Sequence, residues 1–152
     1  MEDQANNSLD QYSKPLKQES SGLATVFWLN ARGSKKGRLF IPVYDERSPL
    51  EFPVRYAYLS SFLEEGNISG NHYHRIKQEI LIPLQGEFDI DLEDIEAKTR
   101  ETISVNGGEN KAVYLRTGIA HRVVSKGKTG IVLVLASHHS TAEDEIEYAV
   151  ER

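Results

Sequence analysis

Three side chains that can bind a metal ion lie close together between residues 66 and 86: His72, His74 and Glu79. Residues two apart on a β-strand point to the same side, so the two imidazoles are expected to project together. Glu79 begins the apolar run EILIPL (79–84), which predicts the next strand. Its carboxylate could add an oxygen ligand from across the ladder. These residue types therefore indicate a metal site held by nitrogen and oxygen donors.

Two glycines, Gly66 and Gly86, bracket this stretch at expected turn positions, where the missing Cβ permits positive φ. The full spacing is Gly66, five residues, His72-x-His74, four residues, Glu79, six residues, Gly86. This spacing resembles the first signature motif of the cupin superfamily at every position. The resemblance implies an all-β, single-domain cupin fold, a double-stranded β-helix or jelly-roll barrel. The alternative is a pair of surface histidines on an edge strand.

Composition limits the function classes. A chain of 152 residues suits one domain with a real core, and the net charge of -5 argues against a nucleic-acid or anionic-membrane partner. There are no cysteines, so a metal must be held by histidine and carboxylate. No apolar run approaches the roughly 20 residues needed to span a bilayer, and no signal-peptide core is visible. A cytoplasmic protein is expected.

The chain divides into three parts. Residues 1–21 are polar and are expected to form a mobile tail, or to wrap onto a partner subunit. Residues 22–140 are expected to form the barrel, because short apolar or alternating runs recur about every ten residues between glycine-containing turns. Those runs are 23–29, 38–44, 52–59, 80–84, 87–93, 102–105, 112–115, 121–125 and 131–137. The acidic end, 141–152, is expected to be a solvated tail or a short helix.

A second motif supplies a further ligand candidate. The segment 116–121 resembles the second cupin motif, in which a Pro-x-Gly turn precedes a histidine; Gly118 and His121 keep that relation. Arg116 stands where proline is usual, and Ser125 where asparagine is usual. With the first motif, the resemblance implies one divalent metal (Zn, Fe, Mn or Ni) with open coordination positions. Its ligands would be His72, His74, Glu79 and His121.

The remaining two of the five histidines, His138 and His139, follow the apolar run 131–137. As strand neighbours they would face opposite ways. They are expected to be exposed at the strand end and to carry no chemistry.

The flanking pieces resemble one enzyme family over about residues 30–148. They are Arg32-Gly33, RLFIPV (38–43), LEFPVRYAY (50–58), the His-x-His and IVLVLAS (131–137) before an acidic, tyrosine-containing end. This order is similar to the WxcM-like cupins and sugar-nucleotide 3,4-ketoisomerases, which act on TDP-4-keto-6-deoxyglucose. The zinc cupin domain of capsular polysaccharide enzymes is also similar. The resemblance implies a homodimeric isomerase or epimerase that acts on a nucleotide-linked 4-keto-6-deoxysugar through an enediolate, in polysaccharide or deoxysugar synthesis.

The same resemblance implies site roles. His74, with His72 beside it, would be the catalytic base, because both protonation states of histidine are accessible near neutral pH. Tyr58 would relay a proton, and the substrate-binding candidates are Arg55, Tyr56 and Arg116. Two positions depart from the ketoisomerase pattern: Ser69 stands in place of arginine, and His121 in place of tryptophan.

These departures leave alternatives open. A histidine bound to a metal cannot also be a free base, so the two roles of His74 compete. A metal would instead polarise the C4 carbonyl, and the base would be Tyr58 or Glu79. The ligand set alone also suits a metal-dependent cupin oxygenase acting on a small organic substrate. The third hypothesis is a non-catalytic cupin that binds a sugar or another small molecule.

Overall fold

The computed structural model describes residues 15–33, 36–50 and 52–151. These residues contain thirteen β-strands and one short 3-10 helix, Ala142–Asp144. The strands are Gln18–Ser20 (β1), Thr25–Trp28 (β2), Arg32–Gly33 (β3), Leu39–Phe40 (β4), Tyr56–Phe62 (β5), Ile68–Tyr73 (β6), Glu79–Gln85 (β7), Glu87–Asp94 (β8), Arg100–Asn106 (β9), Lys111–Leu115 (β10), Ile119–Ser125 (β11), Gly130–Ala136 (β12) and Ile146–Glu147 (β13).

Two antiparallel sheets form the body of the protein. The six-stranded sheet has the order β1-β2-β10-β7-β12-β5, and the five-stranded sheet has the order β13-β6-β11-β8-β9. From β5 to β8, successive strands alternate between the two sheets, as in a jelly roll. The predicted all-β, cupin-type architecture is confirmed. Among the described residues the hydrogen-bonded ladders stay within each sheet, so the two sheets form an open sandwich and not a closed barrel.

The main core lies between the sheets. Phe88, Ile90 and Leu92 of β8 belong to one buried cluster with Val132 and Val134 of β12. These residues alternate along their strands, as expected where one face of each strand points inward. The burial of this layer holds the two sheets together.

A second buried cluster covers the outer face of the six-stranded sheet. Ile80 and Ile82 of β7 and Leu135 of β12 pack there with Phe27 and Phe52. Ile41, Val43, Tyr44, Leu50 and Val54 pack against this cluster from the chain before β5. The start of β7 is therefore buried on both faces, which explains why EILIPL is continuously apolar and does not alternate. The predicted strand over 38–44 is correspondingly reduced to β4 at 39–40.

Both ends of the described chain have defined places. Within the predicted tail 1–21, β1 pairs with β2 and Leu16 is buried, whereas residues 1–14 lie outside the described residues. Within 141–152, the short helix is followed by β13, which pairs with the edge of β6. The limits of the predicted domain, 22–140, stay a prediction. In the described ranges no helix is long and apolar enough to cross a membrane.

Candidate metal and acid–base site

A β-bulge in β6 shapes the site. In the ladder with β11, His72 pairs with His121, but Gly70 pairs with Arg122, so Asn71 is an extra residue on β6. Asn71 has a φ of 56°, in the left-handed region. The extra residue shifts the alternation of the strand, and both Ser69 and His72 line the cavity between the sheets although they are three apart.

Gly70 allows this bulge to form. Its φ is +92°, and a Cβ at this position would lie 2.5 Å from the carbonyl oxygen of His121. Only glycine permits such a close approach of β6 to β11. The two glycines that bracket the motif, Gly66 and Gly86, also have positive φ, as predicted.

The three histidines that the sequence singles out meet at this point. The ring centroids of His72 and His74 are 4.7 Å apart, and that of His121 lies 4.8 Å from His72 and 5.6 Å from His74. One nitrogen from each ring lies within 4.8 Å of the others. His74 and His121 are buried and His72 is half-buried. Three imidazoles at this spacing could hold a metal ion.

Glu79, at the start of β7, reaches the histidines from the opposite sheet. Its Oε1 is 3.5 Å from Nε2 of His74, and its Oε2 is 3.4 Å from Nε2 of His121. Burial alone would raise the pKa of Glu79, but His121, Lys77 and His74 together outweigh it and lower that pKa. Glu79 is therefore a buried carboxylate at neutral pH.

The tautomer of His74 follows from its hydrogen bond. Nδ1 lies 2.8 Å from the carbonyl oxygen of Asp144, which can only accept, so Nδ1 carries the proton and donates. In the neutral ring, Nε2 then has a lone pair; it is buried and has no hydrogen-bond partner among the described residues. The 3.4 Å between Nε2 of His121 and Oε2 of Glu79 matches the spacing of about 3.4 Å for two donors at a tetrahedral metal with bonds of about 2.1 Å. The donor set fits a divalent metal.

Asp144 also holds the loop that follows His74. Its carboxylate accepts hydrogen bonds from the backbone N–H groups of Arg75 and Ile76, both at 2.9 Å, and of Lys77 at 3.0 Å. Burial would raise the pKa of Asp144, but these three donors outweigh it and lower the pKa. The C-terminal segment is thereby attached to the His-x-His element.

The cavity beside the histidines has a volume of about 100 Å³. Its polar end is lined by His72, Glu79, His121 and Tyr58, and His74 is not among its lining residues. Its floor is apolar and consists of Phe62, Leu81, Val123, Val132 and Val134. His72 also lines an outer groove of about 430 Å³ beside the C-terminal segment. His72 thus lies between the enclosed cavity and the open groove.

The environment of the cavity sets the charge states at its polar end. Burial, and then the neighbouring His121 and His74, lower the pKa of His72 to about 4. Burial also lowers the pKa of His121. Burial and then the charge of Glu79 raise the pKa of Tyr58. At neutral pH the cavity therefore contains neutral imidazoles and a protonated phenol.

The predicted substrate-binding residues are not all at the cavity. Tyr56 packs on Tyr58, which lines the cavity, with ring centroids 5.3 Å apart. Arg55 is exposed, out of phase with the inward-facing Tyr56 and Tyr58. Arg116 forms an ion pair with Asp94 at 2.9 Å and does not line the cavity.

The last two histidines lie apart from the site. His138 and His139 are exposed, as expected. Nδ1 of His138 lies 2.8 Å from Ser137 Oγ, and Nδ1 of His139 lies 3.1 Å from the carbonyl oxygen of Ser140.

Sequence reasoning missed two residues of the site. Lys77 is buried, and its ammonium group lies 3.0 Å from Glu79 Oε1 and 2.9 Å from Ser140 Oγ. Its position gave some signal, because a lysine two residues before a buried strand needs a partner if it is buried too. Asp144 gave none, because it lies in an acidic run that resembles a solvated surface.

The fold is shared with solved enzymes of sugar metabolism. The chain is similar to a dTDP-4-dehydrorhamnose 3,5-epimerase from Bacillus anthracis str. Ames with TDP and PPi bound (TM-score 0.77, 15% identity, 86% of this chain and 82% of that chain covered). It is also similar to the sugar 3,4-ketoisomerase QdtA from Thermoanaerobacterium thermosaccharolyticum in complex with TDP (TM-score 0.71, 19% identity, 84% and 89% covered). A third is NovW, a 4-keto-6-deoxy sugar epimerase from Streptomyces spheroides (TM-score 0.73, 17% identity, 87% and 73% covered). At these identities the likeness establishes the fold.

The family itself is established by sequence. No curated protein matches the chain significantly. The family described as WxcM-like, C-terminal (FdtA) matches residues 24–150, which include both motifs, all three clustered histidines and the C-terminal segment. Because this match spans most of the chain, the protein belongs to the WxcM-like, C-terminal family.

Proposed function

We propose that the protein is an isomerase or epimerase that enolises a nucleotide-linked 4-keto-6-deoxysugar. The observation that carries this proposal is a neutral, half-buried His72 at the edge of a cavity that also contains a protonated tyrosine. Such a pair can remove a proton next to a ketone and stabilise the oxygen that becomes negative. The family, and a fold shared with sugar-nucleotide epimerases and a ketoisomerase, support the same chemistry.

We assign the base to His72, whereas the resemblance to the ketoisomerases points to His74. His72 lines the cavity and the groove, whereas His74 lies behind it with Nδ1 bonded to the carbonyl of Asp144. In the proposed reaction, Nε2 or Nδ1 of His72 takes the proton from C3 of the sugar, and the electrons form an enediolate. Return of the proton to C4, together with transfer of the hydroxyl proton from O3 to O4, moves the carbonyl to C3. Delivery of a solvent proton to the opposite face of C3, while His72 keeps the proton that it removed, inverts that carbon.

Tyr58 is the proposed partner of the enediolate oxygen. Its raised pKa keeps the hydroxyl protonated, so it can donate a hydrogen bond to a developing negative charge. The charge of Glu79 nearby disfavours the tyrosinate, because two buried anions repel each other. The phenol therefore acts as a donor and not as a base.

The dimensions of the site divide the substrate into two parts. A cavity of about 100 Å³ is smaller than the 300–1,000 Å³ typical of sites for drug-sized ligands, so only the reacting part of the sugar can enter. The apolar floor suits the methyl group of a 6-deoxysugar. The nucleotide must remain outside, where the half-buried Tyr56 is the proposed contact. A role for Arg55, which is exposed and out of phase with Tyr56, stays a prediction from the resemblance. Arg116, which is paired with Asp94, has no role in this arrangement.

A divalent metal is the proposed alternative occupant of the same donors. His72, His74 and His121 would hold it with Oε2 of Glu79, since Oε1 is bonded to Lys77. When bound, a metal such as zinc would supply Lewis acidity toward the sugar carbonyl. His72 would then not be free as a base, and isotope exchange with and without chelator separates the two states.

Solvent exchange tests the function. The purified protein would be incubated with TDP-4-keto-6-deoxyglucose in D₂O, and the sugar followed by NMR and mass spectrometry. Deuterium is expected at C3 if the carbonyl stays at C4, and at C4 if the carbonyl moves to C3. His72→Gln is expected to slow the exchange by about 100- to 10,000-fold, the typical contribution of a general base. His139→Gln, an exposed histidine on the same chain, is the matched control.

Two results would count against this assignment. Absence of deuterium exchange in both the folded, chelator-treated protein and its zinc-loaded form would exclude TDP-4-keto-6-deoxyglucose as the substrate. A larger loss in His74→Gln than in His72→Gln would return the base role to His74. The homodimer and the cytoplasmic location, both expected from the sequence, remain part of the proposal. Light scattering of the purified protein measures the first.

A further inference from the structure

Lys77 is a buried cation within the candidate metal site, with a side chain only 2% exposed. Its ammonium group lies 3.0 Å from Oε1 of Glu79 and 2.9 Å from Oγ of Ser140, and 6.0 Å from the ring centroid of Tyr58. A lysine is rarely buried unless it is paired, and here the pairing occupies one oxygen of Glu79, the carboxylate that faces Nε2 of both His74 and His121.

A metal ion and Lys77 would compete for the same negative charge. A metal bound to Oε2 of Glu79 would lie about 2.1 Å from that oxygen, with the lysine ammonium on the other oxygen of the carboxylate. Two cations would then share one carboxylate in a buried site, where their repulsion is poorly screened. Without a metal, the ammonium group of Lys77 lies beside Glu79 and balances its charge.

We propose that Lys77 acts as the resident cation of this site and keeps its affinity for divalent metals low. The three histidines and Glu79 have the arrangement of a metal centre, but the ammonium group of Lys77 already supplies the positive charge beside Glu79. As a consequence, His72 stays unligated. That consequence for base catalysis rests on the proposed function, whereas the metal affinity does not.

The test measures metal binding and not turnover. Zinc and nickel would be titrated separately into chelator-treated wild type and Lys77→Met, in competition with a chromophoric chelator. Lys77→Met is expected to bind zinc about 10- to 100-fold more tightly than wild type, the size of effect typical of residues that contact metal ligands. Lys126→Met is the matched control. It removes the charge of one exposed lysine, directly after β11 and outside the histidine cluster, and is expected to leave the affinity for zinc unchanged.

A second substitution locates the bound metal. In the Lys77→Met background, His121→Gln is expected to abolish the gain, because His121 is one of the three imidazoles. If Lys77→Met does not fold, Lys77→Gln provides a neutral side chain that can still donate hydrogen bonds to Glu79 and Ser140.

Three results would overturn the proposal. Wild type that retains one zinc per chain after dialysis against EDTA would show that Lys77 does not prevent metal binding. Equal affinities of wild type and both Lys77 variants would show that the ammonium group is irrelevant. An equal gain in Lys126→Met would assign the effect to net charge. Solvent exchange in the metal-free wild type is measured separately, so a missing activity would not decide the metal question.

Discussion

His72 and His74 are two residues apart, yet the structure gives them different chemistry. His74 is oriented by the carbonyl of Asp144 and faces the carboxylate of Glu79. His72 has one side toward the enclosed cavity and the other toward the groove. Spacing predicts that both rings project together, but it does not predict which ring can reach a substrate. That distinction depends on the bulge at Asn71 and on the C-terminal segment.

Acid sensitivity is the first prediction at the residue scale. The pKa values of His72 (about 4) and His121 are lowered in the folded state, whereas an unfolded histidine titrates near about 6.5. Between these values the unfolded chain binds more protons than the folded protein. The free energy of unfolding is therefore expected to fall as the pH is lowered from about 6.5 toward 4. Urea unfolding with chelator present, at half-unit pH steps, measures this slope.

Two variants test whether His72 causes this dependence of the free energy of unfolding on pH. His72→Gln cannot titrate, so its stability is expected to depend less steeply on pH across the same window. His139→Gln, an exposed histidine, is expected to keep the wild-type slope. Identical slopes for wild type and His72→Gln would contradict the burial argument for His72.

Gly70 gives the second prediction at this scale. In Gly70→Ala, the new Cβ would lie 2.5 Å from the carbonyl oxygen of His121 in a residue with φ +92°. Both the clash and the left-handed backbone oppose this change, and a loss of about 2–4 kcal/mol in the free energy of unfolding is expected. Gly22→Ala is the matched control, because Gly22 has φ +89° but open space around it. Denaturant unfolding of both variants separates the clash from the backbone strain; equal losses would mean that the close approach is unimportant.

At the scale of elements, the C-terminal segment is part of the site. The short helix Ala142–Asp144 places one carboxylate under three consecutive N–H groups, and β13 then pairs with β6. Both contacts hold the strand that carries His72 and the loop that follows His74. The segment 141–152 thus contributes to a site whose motif lies some 70 residues earlier in the chain.

Asp144→Asn is the prediction that tests this attachment. The amide lacks the negative charge and presents only one accepting oxygen, so the three N–H groups lose part of their bonding. A loss of about 1–3 kcal/mol in the free energy of unfolding is expected, the range for hydrogen bonds to a charged group. Hydrogen exchange of the amides of Arg75, Ile76 and Lys77, measured by NMR, is expected to become at least tenfold faster, on the scale of about 1.4 kcal/mol per decade.

The neighbouring exposed acid is the control for that experiment. Glu143→Gln removes the same charge from the same short helix without removing a bond to the loop, and it is expected to leave these exchange rates unchanged. If both variants exchange alike, the effect belongs to the net charge of the segment and not to the carboxylate of Asp144.

The elements also show what the sequence could predict. The motif 66–86 predicted the two glycine turns, the histidine pair and β7 correctly. It could do so because the histidines are two residues apart, as on one face of a strand, and the glycines stand at fixed distances from them. It could not predict the placement of the chain ends. Leu16 is a single apolar residue in a polar run, yet it packs with Phe27 on the outer face of the six-stranded sheet. The local sequence pattern contains no information about such long-range partners. In the same way, the acidic run around Asp144 predicted a solvated side chain, whereas its carboxylate accepts three backbone hydrogen bonds.

At the scale of the whole molecule, the site cavity is lined by residues from both sheets. The cavity is polar where β6, β7 and β11 bring His72, Glu79 and His121 together. It is apolar where Phe62, Val132 and Val134 of the six-stranded sheet lie with Val123 of the five-stranded sheet. The site is therefore a gap in the core of the sandwich and not a surface loop. Its function can then be tested by filling the floor without changing any polar group.

Val132→Phe is the substitution that fills it. Val132 is buried on the inner face of β12 and lines the cavity floor, so the added ring would occupy space that the sugar needs. Isotope exchange into the keto-sugar is expected to fall at least 100-fold, a loss of about 2.7 kcal/mol of transition-state stabilisation. Because the ring enters an existing void, the free energy of unfolding is expected to change by less than the about 1–3 kcal/mol typical of overpacking.

Leu59→Phe, at an exposed position on the outer face of β5, is the control and is expected to exchange deuterium into the sugar as fast as wild type does. Full activity in Val132→Phe would place the reacting sugar outside the cavity, and would favour the groove beside the C-terminal segment as the site of the reaction.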